Sequence, residues 1–262
     1  MGIQCQSVSL ENRRISIFTN RVGIVIPAYN EAKHLKALLG ACRSIQPTRI
    51  QVVDDCSTDD TPLILANEAD NLVHTVRNRH NLGKQGSVKK GLKLILEHEL
   101  DAVAFIDGDG QHVPNELPRL SDLLKSFDFV IGVRSQQQMP IQRKFSNWLV
   151  NESVRIISEV NFVDLQSGLR IYSRPLAQVL AQRLKESGGY ALELESLTLL
   201  ARYAQEQDIS IRAAAAPISC RYGQAQSSLG PRQVLQLTYE TIQHAFRLRK
   251  TLGPTEYFGA CG

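Results

Sequence analysis

A chain of 262 residues, with 43% hydrophobic and 21% charged residues, suits one α/β unit with a sizeable core and excludes a disordered or fibrous protein. Its formal net charge of +4 comes from basic residues spread along the chain, which argues against nucleic acid and for phosphate groups or an anionic membrane surface. Five cysteines with neither a CxxC pair nor a regular spacing argue against a disulfide framework and for a reducing cytoplasm.

In chain order, residues 1–20 mix polar and single apolar residues and read as an N-terminal extension without the apolar core of a secretory signal. The run from Val22 to Pro27 is continuous and apolar, and predicts a strand buried on both faces and stopped by the proline. A helix over 31–43 follows, with Leu35, Leu38 and Leu39 at helical spacing and Asn30 as its cap. The alternation continues with a strand over 50–54, a helix over 60–69, a strand over 72–76, a helix over 83–98 and a strand over 102–106. Another helix begins near Pro114, and a strand over 129–133 comes after it. Beyond a Gln-rich loop at 136–138, a helix over 143–160 opens a second set of elements that reaches Arg221 and completes the same unit. The stretch 231–250 carries an apolar stripe suited to an amphipathic helix, and 251–262 reads as an irregular tail. No apolar run is long enough to cross a bilayer unaided. This rhythm predicts a Rossmann-like α/β architecture, a mostly parallel sheet with helices on both faces, over residues 21–230.

Ligands of such sheets bind beyond the carboxyl ends of the strands, and the residues there are polar in this chain. Asp107 and Asp109 follow a buried strand on a short turn around Gly108, where two carboxylates can hold a divalent cation against a diphosphate, with Gln111 two residues on. As an isolated pair they could equally be solvated turn residues. Asp54 either caps the next helix or, with Asp55, meets a base or ribose. Tyr29 and Glu31 after Pro27 read as nucleotide contacts, with a packed tyrosine and a first-turn glutamate as the alternatives. Lys84 sits in a glycine-bounded turn at a helix start and suits a phosphate, or is a surface lysine. Arg134 and Arg221 are placed for phosphates or for structural salt bridges.

Five motifs occur here in a familiar order: Pro-Ala-Tyr-Asn-Glu, Val-Asp-Asp-x-Ser-x-Asp, Asn-x-Gly-Lys, Asp-Gly-Asp-Gly-Gln-His and Gly-Val-Arg. With them the chain resembles family 2 glycosyltransferases, and within these the branch of dolichyl-phosphate mannose synthases and polyprenyl-phosphate glycosyltransferases. The run Asp164-Leu165-Gln166-Ser167-Gly168-Leu169-Arg170 is similar to that branch's Ser/Thr-Gly-Phe-Arg motif, and Arg221-Tyr222-Gly223 with Ser227-Ser228 to its Arg-x-x-Gly-x-Ser motif. The likeness spans roughly residues 22–229. It implies a GT-A fold and a nucleotide pocket of Pro27, Tyr29, Glu31, Asp55, Lys84, Asp107 and Gly108. Mg2+ or Mn2+ would sit on Asp109 and Gln111. Arg134 and Arg221 would join Asp107 and Asp109 in catalysis by binding the diphosphate or an acceptor phosphate, with Ser167, Gly168 and Arg170 nearby. The chain differs from those relatives at Gln85, where glycine is usual, and at Leu169, where phenylalanine is usual.

The expected reaction is inverting transfer from a nucleotide-sugar donor of the GDP-mannose or UDP-glucose type to a dolichyl-like polyprenyl phosphate. An ionised phosphate can attack without a base. A sugar-hydroxyl acceptor and a non-catalytic nucleotide-sugar binder are the rivals. A lipid acceptor would bring the cytoplasmic protein to the membrane face, through 231–250, basic residues or a membrane-protein partner.

Overall fold

The computed structural model describes residues 3–8, 17–134, 164, 167–187 and 192–221, with Tyr239, Ile242, Gln243, Phe246 and Lys250 further on. Eight strands form one sheet: β1 (Ile3–Ser7), β2 (Val22–Ala28), β3 (Arg49–Asp54), β4 (Val73–Arg77), β5 (Ala102–Phe105), β6 (Phe129–Arg134), β7 (Arg170–Ser173) and β8 (Ile211–Ile218). Their order is β1-β8-β6-β7-β5-β2-β3-β4. Only β7 runs antiparallel to its neighbours, β5 and β6. The expected extension thus supplies an edge strand, with Ile3 opposite Ile211 and Ser7 opposite Ala215.

Side chains of β2 alternate between two cores, as the pleat requires. Ile24 and Ile26 pack with Leu35, Leu38 and Leu39 of α1 (Ala32–Ser44), Leu65 of α2 (Thr61–Glu68) and Leu117 and Leu120 of α4 (Leu117–Asp122). Val25 faces the other core, with Val88 and Leu92 of α3 (Gly83–Ile95), Leu176 and Leu180 of α5 (Arg174–Arg183) and Leu197 and Leu200 of α6 (Leu192–Glu206). Helices therefore cover both faces of a mostly parallel sheet, as expected.

Four local expectations are corrected. Pro27 does not stop its strand, since β2 runs on to Ala28 and pairs Pro27 with Val53 of β3. Ile106 N donates to Val25 O, so Val25 and Pro27, two residues apart, turn their backbone groups toward β5. The ladder with β5 ends at Val25–Phe105, and the missing proline N–H costs no bond. Asn30 does not cap α1: its φ is +57°, and its Oδ1 accepts from Thr58 N at 2.8 Å. The first N–H groups there go to Thr61 Oγ1 from Glu31 and to Asp59 Oδ2 from Ala32. Asp54 does not cap α2 either, because its Oδ1 takes Ser57 N at 2.9 Å and closes the turn before the helix. The helix expected from Pro114 is a 3-10 turn, Pro114–Glu116, leading into the six residues of α4. The helix expected over 143–160, the loop at 136–138 and the tail 251–262 lie outside the described residues.

Candidate active site

β2 is followed in sequence by β3 and β4 on one side of it, and the chain then crosses to β5 on the other. That reversal opens a crevice at the carboxyl ends of β2 and β5. An open cleft of about 540 Å3 lies there, lined by Pro27, Tyr29, Glu31, Asp55, Lys84, Ser87, Asp107, Gly108 and Asp109. Eight residues singled out in the sequence are in that lining. Gly108 is close enough to β2 that a Cβ on it would stand 3.0 Å from Pro27 O. Tyr29, 48% exposed, offers a ring at the rim.

Asp55 is buried and fully bonded: Oδ1 accepts from Asn78 Nδ2 and Leu82 N, and Oδ2 from Gly83 N, each at 2.8 Å. Its carboxylate ties the end of β3 to the first turn of α3, and so sets where Lys84 stands. Lys84 Nζ is 2.7 Å from Asp107 Oδ1 and 2.7 Å from Glu193 Oε1. Burial opposes its charge, but these two carboxylates prevail and raise its pKa above the usual lysine value. Burial likewise opposes charge on Asp107, and Lys84, His112 and Arg134 hold it below the usual carboxylate range.

Glu31 shows the opposite balance. Burial first, then Asp109, Asp107 and Asp59, push its carboxyl up to about 7. Asp109 and Asp107 thus add to the effect of burial on Glu31, and a bound cation would offset their charge. Asp109 Oδ1 accepts from Gln111 N at 3.0 Å. Among the described residues no three acidic, histidine or cysteine groups form a complete cation cage. A site of one or two carboxylates completed by substrate phosphates is the usual arrangement for Mg2+, and the residues present fit it.

Because β7 runs antiparallel, its start lies at the same rim. Gly168 packs on Asp107, and a Cβ there would stand 2.1 Å from Oδ2. Gly168 and Arg170 line a narrow recess behind the cleft, with Lys84, Asp107, Glu193 and Ser196. Arg170 is 2% exposed and donates to Ser167 O and Glu193 O, both at 3.1 Å. Ser167 is fully buried. Arg134 makes a forked ion pair with Asp164, Nε to Oδ2 and Nη2 to Oδ1 at 2.8 Å. Arg221 is exposed, and its N donates to Gln111 O at 2.8 Å, beside the bridge between His112 and Cys220. Arg134, Gln111, Ser167 and Arg221 are outside the cleft lining.

The sequence profile of the family described as glycosyl transferase family 2 matches residues 23–180. The chain belongs to that family. This family 2 glycosyltransferase is 32% identical over 190 residues to an undecaprenyl-phosphate mannosyltransferase of Micrococcus luteus, covering 70% of this chain and 78% of the relative. It is 28% identical over 183 residues to a UDP-N-acetylglucosamine–dolichyl-phosphate N-acetylglucosaminyltransferase of Methanococcus voltae, covering 62% and 73%. Its fold resembles glucosyl-3-phosphoglycerate synthase of Mycobacterium tuberculosis, solved with Mn2+, UDP and phosphoglyceric acid, at a TM-score of 0.63, 17% identity and 91% and 80% coverage. The fold is GT-A, as the motifs implied.

Three site residues of the glycosyltransferase escaped the sequence reading: Glu193, Asp164 and His112. Asp164 and His112 stand inside motifs already singled out, and their neighbours pointed to them. His112 is 5% exposed, and burial, with Arg134 and Lys84 opposing Asp107, pushes its imidazole down to about 4. It is a neutral ring at neutral pH. Glu193 carried no local signal, because it belongs to a Leu-Glu-Leu-Glu run and meets Lys84 across 109 residues of chain. The buried Gln85 and Leu169 fill the core side of the site, at 1% and 0% exposure.

Proposed function

We propose that this glycosyltransferase moves a sugar from a nucleotide-sugar, of the GDP-mannose or UDP-glucose type, to a polyprenyl phosphate with inversion at the anomeric carbon. The observation that carries the reading is the convergence of Tyr29, Glu31, Asp55, Lys84, Asp107 and Asp109 on one cleft at the strand-order reversal. The acceptors of the two relatives, undecaprenyl and dolichyl phosphate, support the lipid-phosphate half.

In this reading Pro27 and Tyr29 receive the base, and Asp55 holds the first turn of α3 so that Lys84 faces the diphosphate. Mg2+ or Mn2+ on Asp109 and Gln111, beside Asp107, would neutralise charge that develops on the leaving diphosphate. The Mn2+ in the solved fold relative supports that cofactor. Arg134, held by Asp164, and Arg221, beside Gln111, supply positive charge on the acceptor side, where Ser167, Gly168 and Arg170 shape the wall. An acceptor phosphate is already ionised and attacks directly, so the chain needs no base. The lipid acceptor implies work at a membrane surface, and a membrane-protein partner is one route there. No helix among the described residues is long and apolar enough to cross a membrane.

A sugar-hydroxyl acceptor is the second reading, and Glu31 is the observation in its favour, since a carboxyl at about 7 could take a hydroxyl proton. Transfer of radiolabelled sugar from GDP-mannose and UDP-glucose, assayed separately with a short polyprenyl phosphate, decides between them. We expect transfer from one donor, abolished by EDTA and reduced at least ~100-fold by Asp109→Ala. Donor binding without transfer to the lipid phosphate would move the assignment to a hydroxyl acceptor.

A further inference from the structure

Lys84 is one ammonium between two carboxylates. Asp107 faces the cleft and belongs to the machinery of transfer, whereas Glu193 approaches from behind, on the first turn of α6. Both oxygens stand 2.7 Å from Nζ, and the Glu193 side chain is 12% exposed against 25% for Asp107. Arg170, itself buried, donates to Glu193 O and fixes the backbone that carries this carboxylate. The arrangement is built from three separate elements, α3, the β5 end and α6, and nothing in the transfer reaction as described uses Glu193.

An ammonium and a divalent cation cannot both be neutralised by Asp107 alone, because like charges at that spacing repel strongly in a partly buried site. A second carboxylate within reach changes the outcome. The ammonium can lean onto it without being left buried and unpaired, which is the costly state for a lysine.

We propose that Glu193 is a positioning residue for the cation site: it draws Lys84 off Asp107 and thereby frees that carboxylate for a divalent cation and the donor diphosphate. Lys84 supplies the positive charge that Asp107 meets in the ion pair. When the metal and donor arrive, the ammonium passes to Glu193 by a small side-chain shift and stays at the edge of the diphosphate. The inference rests on the metal-dependent reading given under the proposed function.

Binding of Mn2+ alone, followed by loss of the free-ion paramagnetic resonance signal, tests it without any turnover. Wild type is compared with Asp109→Ala, Glu193→Gln, Lys84→Met and the Glu193→Gln/Lys84→Met double variant, each checked for folding by circular dichroism. Glu193→Gln is expected to weaken Mn2+ binding roughly tenfold, because Lys84 then competes for Asp107 undivided. Lys84→Met should bind at least as tightly as wild type, and the double variant should match Lys84→Met within about twofold. A Glu193→Gln protein that binds like wild type, while Asp109→Ala loses the ion, overturns the role of Glu193 and leaves the cation site standing. A tenfold loss that persists without Lys84 overturns it too, since Glu193 would then act on its own. No saturable site in wild type, or none of it lost in Asp109→Ala, defeats the metal reading and this inference together. If Lys84→Met fails to fold, Lys84→Gln takes its place in the cycle, and Glu193→Asp, too short to reach Nζ, substitutes for Glu193→Gln with the same expectation.

Discussion

Gly168 and Asp107 touch so closely that the glycine acts as the back wall of the carboxylate. A methyl group at Gly168 would force Asp107 aside or push the β7 entry outward, since the added Cβ would meet Oδ2 at 2.1 Å. Gly168→Ala should therefore cut transfer by roughly 100-fold or more while the fold survives, measured as kcat/KM beside a thermal melt. Glu31 gives a pH signature. Its folded pKa, about 7, lies above the usual glutamate value of 4.5, so the protonated form is the one that folding favours. That contribution is complete below about 4.5 and is lost as pH rises through 7. Glu31→Gln should gain on the order of 2 kcal/mol at pH 8 after allowance for partial exposure, and nothing at pH 4, in urea titrations with EDTA. Saturating Mn2+ should reduce the gain, because a cation restores the value of the carboxylate. The types of these residues were legible in the sequence, since carboxylates at strand ends and a lysine at a helix start suit a cation and phosphate site. Their pairings were not: Lys84 with Glu193 and Arg134 with Asp164 join positions whose distance along the chain says nothing about their distance in space.

Among the elements, β1 departs most from what the sequence suggested. Ile-Gln-Cys-Gln alternates, and Ile3 and Cys5 are buried at 0% and 5% while Gln4, Gln6 and Ser7 are exposed. That is the period of a strand with one covered face, and it was legible, but five residues beside no other apolar run were too few to claim as part of the sheet. Removing residues 1–8 should cost about 3 kcal/mol from two buried side chains and a lost ladder, read as a lower urea midpoint. It should also promote association, because β8 would become an open edge. The strands β2 to β6 were easier. Of these, β2, β5 and β6 are short apolar runs that the sequence isolates between polar segments, and burial on both faces makes such runs nearly continuous. Caps were harder, because Asn30 has the right side chain in the right place and spends it on Thr58 across the loop. A cap is decided by which partner arrives first, and that partner here belongs to another element.

At the scale of the molecule the cleft lies at one rim of the sheet, and the proposed lipid-phosphate acceptor would bring that rim to an anionic membrane surface. Tyr239 and Phe246 are helical, and 63% and 52% exposed. Flotation with anionic vesicles should carry the protein upward at low salt, and Tyr239→Ser with Phe246→Ser should lower the bound fraction several-fold. Absence from the vesicle fraction at every lipid composition would count against the membrane-surface role. The α/β class, the run of strands from β2 to β6 and the identity of the acidic turn after β5 were determined by the sequence itself, because periodicity and strand-end polarity are local properties. The strand order, with β1 closing one edge and β7 inverted, was decided only in three dimensions. So were the forked pair of Arg134 and the shared ammonium of Lys84. Each depends on which distant segments come to lie side by side, and that is settled by the joint packing of two cores rather than by any window of residues.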